Sequence, residues 1–110
     1  MDETLEFLVM VDDADGLPEA ILRHFPEAVR RKENSCDLRG NWIEVWPNDD
    51  ADRDLVGGDE GYLYYAWEVQ ATPVVDVDED HQVRLARELV SCFRALGGTA
   101  VVAANFEDRV

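Results

Sequence analysis

Lysine is nearly missing. The 110 residues hold ten basic side chains, of which only Lys32 is a lysine, against 25 acidic ones, for a formal net charge of −15. A surface this negative repels phosphate, which argues against direct contact with nucleic acid or an anionic membrane. Cysteine is scarce too. Cys36 and Cys92 sit in no CxxC or Cys/His metal spacing, so neither a disulfide framework nor a metal site is expected. Apolar runs stay short: Phe7 to Val11 is five residues, where a bilayer span needs about 20. The opening MDETLEF lacks the basic region and apolar core of a secretory signal, so a cytoplasmic protein is expected. HExxH, P-loop and GxGxxG motifs are all missing.

What is present is a globular composition, 46% hydrophobic, in a chain of one-domain length. The strongest periodic signal lies over residues 78–97. Val83, Ala86, Leu89, Val90, Phe93 and Leu96 recur at helical spacing, with Arg84, Arg87, Glu88 and Arg94 mostly between them. Asp78 is placed to cap this helix, and Gly97 and Gly98 to end it. Cys92 beside Phe93 reads as a packed, reduced thiol.

Other elements follow in order. Residues 4–11 read as a strand with Leu5, Phe7, Val9 and Val11 on one face and Glu6, Leu8 and Met10 on the other; both faces are largely apolar, which indicates a central position. Residues 17–25 read as a short helix with Pro18 in its first turn and Pro26 at its end. Ala28 to Glu33 fit an edge strand paired with Ile43 to Trp46, or else that helix runs on to about Arg31 with a kink at Pro26. Residues 41–46 alternate as a strand, and 62–72, YLYYAWEVQAT, alternate over a longer run. Between them, 48–61 form an acidic loop broken by Gly57, Gly58 and Gly61. A last strand spans 99–104. This order predicts an α+β fold: a ferredoxin-like split β-α-β sandwich, with an antiparallel sheet of four to five strands and two helices on one face. The likeness is one of element order and implies no activity.

Three groups of residues bear on function. If Ile43, Val45, Leu63, Tyr65, Trp67 and Val69 face the helices, the other sheet face gathers Trp42, Trp46, Tyr62 and Tyr64, with Glu44 and Glu68 among them. RNA-binding sheets also display aromatics, but among basic residues. Aromatics beside carboxylates suit an Arg-rich protein patch or a second copy of the chain. Covering of this face by the 48–61 loop or the chain ends is the plain alternative. Asp50, Asp52 and Asp54 begin like a calcium loop, but Leu55 stands where glycine is needed and Gly61 where the closing glutamate is needed. They read as a solvated acidic loop. His24 and His81 have no nucleophile motif near them, so no catalytic residue, cofactor or metal ligand is assigned.

The resulting expectation is a small acidic protein-binding module that neutralises a basic partner, and not an enzyme. In size and acidity the chain is similar to bacterial immunity proteins, which block basic toxin domains. That likeness is carried by class and by no motif. The alternatives are a homodimeric ferredoxin-like domain holding a small ligand between subunits, and an enzyme of unknown chemistry.

Overall fold

A computed structural model describes residues 4–110. Among the described residues, six strands form a single sheet: β1 (Phe7–Asp12), β2 (Val29–Lys32), β3 (Ser35–Leu38), β4 (Asn41–Pro47), β5 (Trp67–Pro73) and β6 (Thr99–Ala103). The same residues hold two α-helices, α1 (Leu17–His24) and α2 (Glu79–Ala95). The sheet order is β2-β3-β4-β5-β1-β6, and every pairing is antiparallel. The fold is therefore α+β, but its sheet has six strands and not the expected four to five.

β1 is central because both of its faces are apolar, as the sequence implied. Phe7, Val9 and Val11 join the core under the helices, while Met10 is buried from the opposite side. α2 packs on β1, β6 and α1. Its stripe holds: Val83, Ala86, Leu89, Val90 and Phe93 are buried, and Leu85 and Gln82 with them. Leu96 is the exception, exposed where the helix has ended. The Asp78 carboxylate accepts the His81 backbone N–H at 2.7 Å, closing the N-terminus, and Gly97 takes the left-handed conformation past the C-terminus.

α1 stops at His24, because a residue before proline disfavours helical backbone and Pro26 follows Phe25. Residues 29–32 are accordingly strand. They pair with β3 and not with β4, which corrects the expected pairing of 28–33 with 43–46. β3 was hidden by its shortness. The two-residue turn joining it to β4 needs positive φ at Arg39 (51°) and Gly40 (77°). A side chain on Gly40 would meet Val75 Cγ2 at 2.6 Å.

This turn is tied down from the helix side. Arg39 lies 5.2 Å over the Phe25 ring and pairs with Glu27 and Glu88. Its carbonyl accepts His81 Nε2–H at 2.7 Å. Next to it, Asn41 and Gln82 are fully buried and exchange two amide hydrogen bonds of 2.9 Å. Gln82 also donates to the Leu5 carbonyl. Among the described residues, no helix is long and apolar enough to cross a membrane.

Candidate functional site

β4 alternates strictly: Asn41, Ile43 and Val45 are buried under the helices, while Trp42, Glu44 and Trp46 face the other way. The β4–β5 register sets Trp46 opposite Glu68, Glu44 opposite Gln70 and Trp42 opposite Thr72. β1 continues the rungs, with Met10 opposite Glu68 and Leu8 opposite Gln70. Directly opposed residues have Cβ atoms about 4.5–5.5 Å apart. The helix-free face is therefore a mosaic in which two indoles and two carboxylates alternate over an apolar floor. Trp46 is 43% exposed. Trp42 is half-buried, and its Nε1–H has no hydrogen-bond partner among the described residues. Gln70 Nε2 donates to Glu68 at 3.3 Å, leaving the rest of that carboxylate to solvent.

Tyr62 and Tyr64 do not share this face as a strand would place them. The strand begins at Trp67, and Gly61–Tyr64 form a 3-10 turn. Leu63 is exposed there and does not face the helices. The cause is a competing set of partners. Asn48 Nδ2 donates to the Leu63 and Tyr65 carbonyls at 2.9 and 2.7 Å, and the Tyr64 carbonyl accepts from Asp52 N–H at 3.1 Å. The backbone of 62–65 is thus bonded to the acidic stretch and not to a neighbouring strand.

That stretch folds as successive tight turns. Asp50 and Asp54 N–H groups are held by the Asn48 and Asp52 side chains, at 3.1 and 2.9 Å. Asp50, Asp52 and Asp54 are all exposed. Among the described residues, no three His, Cys, Asp or Glu side chains are grouped to hold a metal ion. Arg53 reaches back to Asp12 and Asp13 at the end of β1, at 3.8 and 3.4 Å. Asp12 also accepts the Ala66 N–H at 3.2 Å. The result is a cleft of about 280 Å³ lined by Asp12, Asp13, Asp15, Asp52, Arg53 and Tyr64. Nothing in the sequence pattern brings Asp12 and Asp13 to Arg53. No local pattern signals a pairing between residues 40 apart.

Charge is divided unevenly. Away from the mosaic, arginines meet acids: Arg30 with Glu19, Arg31 with Asp37, Arg39 with Glu27 and Glu88, Arg109 with Glu79 and Asp80. The Arg39 hydrogen bond holds the Glu27 carboxyl below its ordinary range, and Arg109 does the same to Asp80. Residues 44–68 hold eight acids and one base, Arg53, which is used on β1. Glu44, Glu68 and the loop acids form no ion pair among the described residues.

The remaining reactive groups are occupied or quiet. The His24 ring lies tilted against Phe25, and His81 serves the Arg39 turn. Burial pushes the Cys36 thiol up to about 11 and raises Cys92 as well, the opposite of an activated nucleophile. No family model, curated protein or solved structure matches the chain.

Proposed function

We propose that the protein binds a basic protein partner through the Trp42–Trp46 face and the acidic stretch beside it. One observation carries this reading: the acids of residues 44–68 are left unneutralised next to two surface indoles, while Glu19, Glu27, Asp37, Glu79, Asp80 and Glu88 elsewhere are paired with arginines. Guanidinium groups of a partner would stack on Trp46 and pair with Glu44 and Glu68. Asp49, Asp50, Asp52 and Asp54 would steer its approach. Tyr62 and Tyr64, carried on the 3-10 turn, are left out of the centre of this surface. We read β4-β5-β1-β6 with α1 and α2 as a ferredoxin-like unit, extended at one edge by the β2–β3 hairpin, and we assign the protein to the cytoplasm.

Capture from the native cell at low and at moderate salt tests the reading. A basic protein retained at low salt and released as salt rises is the expected result. Changing Asp49, Asp50, Asp52 and Asp54 to Asn should slow association and flatten its salt dependence. Trp46→Ala should cost at least about 2 kcal/mol of binding, mainly through faster dissociation. Recovery of no basic protein at low salt would sink the proposal.

A further inference from the structure

The two edges of the sheet are β2 and β6. An edge strand offers unpaired N–H and C=O groups to any passing strand, and folded proteins blunt such edges with charge or bulges. β2 is blunted by Arg30, Arg31 and Lys32 and by a register shift between Arg30 and Lys32. β6 reads Thr-Ala-Val-Val-Ala, without charge or proline, and pairs with β1 in unbroken register.

The hydrogen-bond alternation fixes which groups β6 offers. Asn48 N–H bonds the Ala66 carbonyl and Val74 N–H the Gly40 carbonyl, each at 2.9 Å, so even-numbered residues join β4 to β5. Odd residues then join β5 to β1, and even residues of β1 join Thr99, Val101 and Ala103 of β6. Ala100 and Val102 therefore turn their N–H and C=O groups outward. The Arg94 guanidinium, 3.4 Å from the Ala100 carbonyl, stands at this edge.

Beside the edge runs an open groove of about 670 Å³ between β6 and α2, lined on the helix side by Arg87, Ser91 and Arg94. Arg87 and Arg94 are exposed and form no ion pair among the described residues. Among the described residues, Arg87 donates only to the Arg109 carbonyl. Glu107 is the one acidic side chain lining the groove, next to the chain's last turn.

We infer that β6 accepts a further strand from a partner protein, an extended acidic segment whose alternate carboxylates meet Arg87 and Arg94. Residues between them would lie beside Val101 on the helix-free face, where apolar side chains fit. Charge selects this occupant over a second copy. A two-fold β6–β6 pairing would set the Arg87 and Arg94 rows of both copies against each other. The site is separate from the Trp42–Trp46 face, and its salt response differs. At about 0.01 M salt the Debye length is about 30 Å and the whole negative chain repels an acidic strand; at about 0.15 M it is about 8 Å and the local arginines decide.

The test uses a short capped peptide alternating Glu with Val or Thr, its Lys counterpart, and the Glu peptide methylated at its backbone nitrogens. At physiological salt only the unmethylated Glu peptide should bind, more tightly than at low salt, and it should slow amide exchange at Ala100 and Val102. The Arg87→Glu, Arg94→Glu variant, with its melting temperature checked, should lose at least about tenfold in affinity. Equal binding of the Glu and Lys peptides, or retained binding of the methylated one, would overturn the inference. So would light scattering that shows a dimer whose β6 amides are already protected.

Discussion

α2 and the stretch from Asn48 to Ala66 are similar in length and in density of charge, yet they are ordered by different forces. α2 buries eight side chains, so it is held by the same core as the sheet. In the stretch, Gly61 alone is buried. Its order comes from local backbone bonds: Ala51 to Asn48, Leu55 to Asp52, Gly58 to Leu55 and Gly61 to Gly58. Burial couples a segment to global unfolding, whereas short-range bonds permit it to open alone. The segment that would steer the partner by the proposed mechanism is thus the less tied to the core of the two.

The sharpest break of this contrast is Phe93→Ala. Phe93 is fully buried, and its truncation should cost about 3–5 kcal/mol in denaturant unfolding. Arg87→Ala, on the exposed side of the same helix, should cost under about 0.5 kcal/mol. Equal costs would mean that α2 is not anchored by its stripe.

Second in size is Gln82→Met. It keeps the volume but strips partners from Asn41 and the Leu5 carbonyl. Each buried group left unpaired costs about 1–3 kcal/mol. Adding Asn41→Leu should recover part of the loss, because removing both amides is cheaper than orphaning one. A double variant less stable than the sum of its parts would contradict the pairing.

The same two regions show what the sequence made legible. Helical spacing exposed α2 because its environment is periodic along the chain. The alternation of YLYYAWEVQAT was just as regular, yet only Trp67–Pro73 became strand. The donors that divert 62–65 come from Asn48 and Asp52, and a pattern within the run cannot report them. β3 was missed for a related reason. Its pairing rests on a turn through Arg39 with positive φ, a conformation that the residue type does not advertise. Of the proposed surface, Trp42, Glu44, Trp46 and Glu68 were readable from strand parity, and the Arg53 contact to Asp12 and Asp13 was not.

Gly61→Ala should act on the stretch and spare the helix. A Cβ there would stand 1.9 Å from the Val56 carbonyl oxygen, so the backbone must move. Hydrogen exchange should accelerate at Asp52 and Leu55, while α2 amides keep their protection. Uniform acceleration across the molecule would show that the stretch is part of the cooperative core after all.

The smallest effect separates paired acids from unpaired ones. Glu27 and Asp80 have depressed pKa values through Arg39 and Arg109, so the unfolded chain binds protons there more readily than the folded one. Their stabilisation is present above the ordinary carboxylate range of about 4 and is lost as pH falls through the lower folded values. Both groups are exposed, so solvent screens the benefit. A Glu27→Gln, Asp80→Asn variant should therefore be slightly less stable than the parent at neutral pH, and the gap should close on acidification. Salt at neutral pH should narrow it as well, because screening weakens the same pairs. A gap that stayed constant from neutral to acid pH would show that these carboxylates act through packing and not through charge.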